Sequence, residues 1–296
     1  MPSFIKWVGS KRKLAKKLNE FLPPGVENMR HVEPFAGSAA LFFERRPKRA
    51  LLADSNEDLM LTYRVVRDDV DELVRHVRYL ESQFKSCGIA GSARHYYSVR
   101  ETFNDHSCKG ISRAAQFIYL NKTCFNGVWR VNSTGDFNVP IGDYDSPVIC
   151  DEETLRECSA LLQGVSFSSS SFDDLLSSLI MDLEVERSPT FVYLDPPYIP
   201  ASETANFTAY TKAGFSLEDH RRLRDFAIEL STRGAHVMLS NSHTPLALTL
   251  YQDTGWRIDV VRSPRSLNSD ARKRGAVGEI VVRSWLRAEE AKECAQ

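Results

Sequence analysis

The sequence predicts an α/β fold: a mostly parallel, seven-stranded sheet wound by helices on both faces, interrupted by a second, mainly helical domain. Three observations carry this expectation. Seven short apolar and β-branched runs recur along the chain, several apolar almost throughout, as strands buried on both faces are. Helical periodicity separates most of them. Between about Glu57 and Ile149 that alternation stops. Residues 1–56 and 156–296 are therefore expected to form the sheet domain, and residues 57–155 an insertion between its second and third strands.

The predicted strands are residues 30–35, 50–54, 165–169, 191–195, 235–241, 256–261 and 279–285. The first runs into HVEPFAGSAALFF, which reads as strand, small-residue turn and helix start. In the insertion, one long helical pattern over residues 59–84 leads to a Gly/Ser-rich joint, KSCGIAGSARH. Its last part, NKTCFNGVWRVNSTGDFNVPIGDY, reads as a hairpin turning at NSTGD. The clearest helix is FSLEDHRRLRDFAIELSTRG. Ser216 and Asp219 have the spacing of a capping box, Leu217, Leu223, Phe226, Ala227 and Leu230 form the apolar stripe, and Gly234 closes it.

Composition narrows the function classes. The chain of 296 residues is 42% hydrophobic and 26% charged. It has no run near the roughly 18 apolar residues of a membrane span, and no apolar signal-peptide core opens it. A cytoplasmic protein is expected. The six cysteines, Cys87, Cys108, Cys124, Cys150, Cys158 and Cys294, show no C-x-x-C pair and no histidine at metal-ligand spacing. Reduced thiols and no metal site follow. Net charge is −1, but basic residues cluster twice: Lys6, Lys11, Arg12, Lys13, Lys16 and Lys17, then Arg262, Arg265, Arg272, Lys273 and Arg274. Two such clusters on a nearly neutral chain point to local phosphate contacts.

The chemistry concentrates at two strand ends. FVYLDPPYIP stops a buried strand on an acid, two prolines and an aromatic ring. Proline offers no N–H and fixes φ, so Asp195-Pro196-Pro197-Tyr198 forms a stiff corner. The carboxyl ends of strands are where open α/β sheets bind ligands. After the first strand, small residues around Gly37 let a ligand approach the backbone at a helix start. One glycine is too few for a dinucleotide fingerprint. Asp54, at the end of the second strand, is placed like an acid that grips ribose hydroxyls. Together they suit a nucleoside without a pyrophosphate.

FIKWVGSKRKLAKKL, EPFAGSAALFF, ADSN, FNGVWRVNSTGDFNVPIG and DPPYIPASETANFTAYTKAGFS, taken in this order, resemble the Dam-type (D12 class) DNA adenine-N6 methyltransferases, which use S-adenosylmethionine. The resemblance spans nearly the whole chain. It implies a Rossmann-like catalytic domain with an inserted target-recognition domain, and a monomer acting on double-stranded DNA. An adenine amine is a poor nucleophile because its lone pair is delocalised into the ring. The Asp195 carboxylate and the Pro196 carbonyl would accept its two N–H groups, Pro197 would help to fix that carbonyl, and the Tyr198 ring would stack on the extruded base. No cysteine follows a proline, so the covalent route of cytosine-C5 enzymes is not expected.

The resemblance further assigns Trp7, Gly9 and Lys11 to the methionine end of the cofactor, Phe35 and Gly37 to the turn along it, Asp54 to its ribose, and Phe172 to its adenine. Asp195 borders both substrates. For DNA, Arg130 would read a guanine, Phe125 would insert beside the extruded adenine, and Val128 and Pro140 would touch a thymine methyl. Lys6, Arg100, Lys122, Asn126, Asn132 and Asn138 are candidate contacts to base or phosphate. The expected target is GATC, or a longer site containing GAT. Two residues depart from the family pattern: Ala39 stands where a second glycine is usual, and Asp143 where relatives are basic. A methyltransferase for RNA or for protein glutamine is the first competing reading, although asparagine usually opens the catalytic turn there. The other is a DNA-binding relative of weak or lost activity.

Overall fold

The computed structural model describes residues 3–186, 188–200, 215–264 and 276–286. Residues 201–214, Cys294, and Arg265, Arg272, Lys273 and Arg274 of the second basic cluster lie outside them. The seven strands are β1 (Arg30–Glu33), β2 (Ala50–Ala53), β3 (Val165–Ser168), β4 (Thr190–Leu194), β5 (His236–Ser242), β6 (Arg257–Pro264) and β7 (Ala276–Arg283). They form one sheet in the order β3-β2-β1-β4-β5-β7-β6. β1, β2, β4 and β5 pair in parallel, and β7 runs antiparallel between β5 and β6.

The described helices are α1 (Ala15–Leu18), α2 (Ala40–Arg45), α3 (Glu57–Asp68), α4 (Val70–Ser86), α5 (Gly88–Asn104), α6 (Gly110–Thr123), α7 (Glu152–Leu161), α8 (Phe172–Glu186), α9 (Leu217–Thr232) and α10 (Pro245–Tyr251). Three expectations change. The helical pattern over 59–84 is two helices, broken at Asp69, whose φ of −135° and ψ of 38° leave the helical region. Arg67 closes α3 and Asp71 and Glu72 open α4, so each new helix end carries the charge its dipole favours. The Gly/Ser-rich joint is not a loop. Gly88 adopts φ +64°, and α5 starts there; Ser92 Oγ donates to Phe84 O at 3.0 Å and fastens it to α4. The predicted hairpin contains no regular strand. The backbones of its limbs pair at the isolated bridges Cys124–Ile141 and Val131–Phe137.

The chain divides into two compact units: residues 1–12, 37–46 and 54–169, and residues 13–36, 47–53 and 170–296. In the first, Tyr63 is fully buried among Phe4, Phe43 and Phe167. Arg113 of α6 joins Asp58 of α3 at 2.8 Å and the carbonyl of Phe103 in α5 at 2.9 Å. In the second, Val32, Val192, Leu194, Val237, Leu239, Ile280 and Val282 meet apolar side chains of α8, α9 and α10. The capping box of α9 is present as expected, with Ser216 Oγ accepting from Asp219 N. The other face of these strands is mixed: apolar Phe191, Met238 and Val281 alternate with polar His31, Glu33, Tyr193, Ser240, Glu279 and Arg283. Buried polar groups on that face must be hydrogen-bonded to one another or to the backbone.

Candidate active site

β4 delivers the acidic corner of the second unit. Pro196 is buried, Pro197 is exposed, and Asp195 and Tyr198 are half-buried. Three residues from neighbouring strands hold the corner. Tyr198 donates its hydroxyl to Glu279 Oε2 at 2.7 Å. Asn241 Oδ1 accepts from Ile199 N at 3.0 Å, and Ser242 Oγ donates to Ile199 O at 2.5 Å. Burial, then the charge of Asp195, pushes the Tyr198 phenol far above its usual range, so it stays a donor. Tyr193 pairs with Ser240 at 2.9 Å behind it. The corner is thus fixed at the Tyr198 hydroxyl and at both backbone groups of Ile199.

Phe35, at the carboxyl end of β1, faces Phe172 at the start of α8, with ring centroids 5.7 Å apart. Phe215 lies 5.3 Å from Phe172, and the Arg222 guanidinium lies 5.6 Å from the Phe172 centroid. Phe35 and Phe172 remain half-buried.

In the first unit the glycine turn is held from three directions. Gly37 N donates to Asp54 Oδ2 at 3.0 Å, and Tyr63 donates to Gly37 O at 2.9 Å. The Trp7 indole lies over the bare α-carbon, where an added Cβ would come within 2.7 Å of it. Asp54 Oδ1 accepts from Asn56 N at 3.0 Å, so this carboxylate joins the turns that follow the first two strands. Burial raises its pKa above the usual 3.8 despite those two backbone donors. Each oxygen keeps a further lone pair for a ligand. Lys11 is buried and donates to Gly9 O at 2.9 Å. Ala39 is also buried, at φ +48° and ψ +41°, a left-handed position at the start of α2. A residue with a Cβ is strained in that region of the backbone.

The turn-rich segment presents Phe125, Asn126, Arg130 and Pro140 to solvent and half-buries Val128 and Asn138. Arg130 Nε donates to Asn138 Oδ1 at 2.7 Å. Asn132 shapes the tip, its Oδ1 accepting from Thr134 N and Asp136 N. Two residues expected at base or phosphate, Lys6 and Arg100, have intramolecular side-chain partners, and a third, Lys122, is half-buried. Lys6 donates to Lys122 O at 3.2 Å and lies over the Tyr144 ring. Arg100 donates to Val139 O at 3.3 Å. Burial lowers the pKa of Lys122, with Lys6 and Arg12 adding to it. Glu279, Asn241, Ser242, Asn104 and Asn121 were not singled out by sequence. Only Glu279 gave a signal, as an acid at the head of an apolar strand.

A doubly wound sheet with a rigid acid-Pro-Pro-aromatic corner after β4 and a glycine turn after β1 defines a Rossmann-like methyltransferase. The model of the D12 class N6 adenine-specific DNA methyltransferases matches residues 7–262, and the chain belongs to that family. It is 39% identical to type II methyltransferase M.MjaIII of Methanocaldococcus jannaschii, over 95% of this chain and 98% of that protein. It is 36% identical to type II methyltransferase M1.LlaDCHI of Lactococcus lactis subsp. cremoris, over 95% of each. It is also 36% identical to the DNA adenine methylase of Escherichia coli K12, over 95% of this chain and 94% of that protein. The protein is an adenine-specific DNA methyltransferase, an enzyme of the class whose methyl donor is S-adenosylmethionine. Among the described residues no helix is long and apolar enough to cross a membrane. No group of three or more His, Cys, Asp or Glu among them could hold a metal ion.

Proposed function

We propose that the enzyme methylates the adenine of GATC, or of a longer site containing GAT, after extruding that adenine from double-stranded DNA, and that it works as a monomer in the cytoplasm. The observation that carries the target assignment is the Arg130–Asn138 contact. Asn138 engages Nε alone, so both terminal nitrogens of an exposed guanidinium are left to form a bidentate pair with guanine O6 and N7. Exposed Phe125 and Pro140 and half-buried Val128 flank it, which suits insertion into the base stack and contact with a thymine methyl. Asn126 and Asn132 fall to nearby base or phosphate contacts in this reading.

In the reaction, Asp195 and the Pro196 carbonyl accept the two N–H groups of the amine and favour the tetrahedral nitrogen that attacks. Pro197 helps to set the direction of that carbonyl, and Tyr198 stacks on the base. S-adenosylmethionine supplies a methyl group already activated on a sulfonium. The chain's groups suit that ligand: half-buried Phe35 and Phe172 for an adenine ring, Asp54 for ribose hydroxyls, and Trp7, Gly9, Lys11 and Gly37 for the methionine end. Support comes from the Trp7 indole packed directly over the bare Gly37 α-carbon, which brings two of these residues together at the turn.

The test is to sequence methylated adenines in DNA from cells expressing the protein, then compare GATC duplexes with duplexes whose guanine is replaced. Arg130→Ala is expected to cost about 1–3 kcal/mol and to relax discrimination at that guanine. Equal methylation of both duplexes by the parent enzyme would overturn the assignment.

A further inference from the structure

The segment carrying Arg130 has little secondary structure of its own, so something else must hold its shape. Between Arg130 and Asn138 the limbs share one isolated bridge, Val131–Phe137, made by the bonds from Asn138 N to Arg130 O at 3.1 Å and from Asn132 N to Asp136 O at 2.9 Å. Asn132 shapes the tip, and α5 anchors the returning limb. Tyr96, Arg100 and Asn104 are spaced four residues apart on one line of that helix, and all three reach the backbone of the returning limb. Tyr96 donates its hydroxyl to Val139 O at 2.8 Å, and Arg100 donates to the same oxygen. Asn104 makes two bonds, Nδ2 donating to Phe137 O at 3.0 Å and Oδ1 accepting from Phe137 N at 2.9 Å. One amide side chain thus reproduces the donor and acceptor pair of a neighbouring strand. Phe137 and Val139 are buried, so an unmatched polar group there would have no water to turn to. Asn138 lies between them and holds Arg130.

We propose that Asn104, supported by Tyr96, is a positioning residue for target discrimination. By fixing the backbone of residues 137–139 it fixes Asn138, and through Asn138 the direction of the Arg130 guanidinium. The inference rests on the proposed role of this segment in reading DNA. It places Arg100 in the clamp, where it supports the limb from behind.

The test uses the full chain and the site mapped by sequencing methylated adenines. Asn104→Ala, Asn104→Asp, Tyr96→Phe, Arg130→Ala and the double variant Asn104→Ala/Arg130→Ala are compared. The readouts are kcat and KM on the intact site and on one with its guanine replaced, calorimetric affinity for S-adenosylmethionine, and Tm. Asn104→Ala is expected to narrow the kcat/KM ratio between the two duplexes about tenfold, mainly through KM, as loss of two hydrogen bonds implies. Asn104→Asp keeps the acceptor and loses the donor, so it falls in between. Cofactor affinity stays at the parent value. The double variant discriminates no worse than Arg130→Ala alone, because both act on one contact.

A parental ratio in Asn104→Ala, or an equal loss on both duplexes, overturns the proposal. If Asn104→Ala does not fold, a parental ratio in both Asn104→Asp and Tyr96→Phe overturns it instead. If Arg130→Ala keeps the parental ratio while Asn104→Ala lowers it, the clamp stands and the reading by Arg130 fails.

Discussion

Replacing Gly37 by alanine tests the geometry of the glycine turn most directly. Two separate penalties can be read from the structure. The residue has φ +47°, a region that costs an L-amino acid roughly 1–2 kcal/mol. The new Cβ would also lie 2.7 Å and 2.8 Å from Cδ1 and Nε1 of Trp7, so the indole must move, and such overpacking costs about 1–3 kcal/mol. Lower entropy of the unfolded chain returns about 0.4–1 kcal/mol. Because Gly37 is fixed by Asp54 and Tyr63, Trp7 gives way rather than the turn. The loss from displacing Trp7 should therefore fall on S-adenosylmethionine binding, at about five-fold to 150-fold, since each 1.4 kcal/mol is about tenfold. Calorimetric titration of Gly37→Ala, Trp7→Ala and the double variant separates the two penalties. Without the indole, Gly37→Ala retains only its φ strain, so the variants should be coupled by about 1–3 kcal/mol. Parental affinity in Gly37→Ala, or additivity within a few tenths of a kcal/mol, refutes the reasoning.

Four further outcomes are expected. Glu279→Ala frees the Tyr198 hydroxyl and should lower kcat with little change in cofactor affinity; Glu279→Gln keeps an acceptor and should recover most of it. Asp54 has a raised pKa, so cofactor affinity should fall on acidification at a pH above the 3.8 of an ordinary aspartate, and Asp54→Asn should bind weakly without that pH dependence. Burial lowers His220 from 6.5 to about 4, so the unfolded chain takes up a proton in that window that the fold refuses. Stability should then drop by about 3 kcal/mol as pH falls through it, as chemical denaturation can measure, and His220→Phe should flatten the slope. Ala39→Gly removes a left-handed alanine costing roughly 1–2 kcal/mol, while glycine gives back roughly 0.5–1 in unfolded-state freedom, so Tm should rise slightly.

The seven strands were legible because runs such as FVYL are buried on both faces, and a sequence of apolar residues records that burial directly. The corner at Asp195 was legible for a different reason: proline dictates local conformation whatever surrounds it. The two-helix break at Asp69 could have been found, since basic Arg67 and acidic Asp71 mark the ends of adjoining helices. The start of α5 could not, because glycine ends a helix and permits a loop with equal ease. The long-range hydrogen bonds were hidden for a more general reason. Lys6 looks the same in sequence whether its amine meets a phosphate or the carbonyl of Lys122. Asn104 and Asn121 belong to no motif in the sequence, yet each pairs with both the N–H and the C=O of one distant residue. Side-chain partners far apart along the chain leave no periodic trace.

The centre of the sheet also constrains how the chain can be built by the ribosome. Val32 of β1 lies in register with Val192 of β4, and the segment from Asp54 to Ser169 is strung between them. While that segment emerges, β1 and β2 exist as a bare parallel pair, which is marginal by itself. The helices of 54–169 depend mostly on near neighbours and can consolidate early, whereas strand pairing across so long a loop is slow. Early condensation of the segment also shortens the free loop that β1 and β4 must close. A nascent chain stopped before β4 would thus carry a consolidated helical segment beside an open sheet, with His31 and Glu33 not yet covered by their neighbouring strand. Limited proteolysis of stalled chains of increasing length should show protection within 54–169 before protection of β1. Protection in the reverse order would exclude this sequence of events.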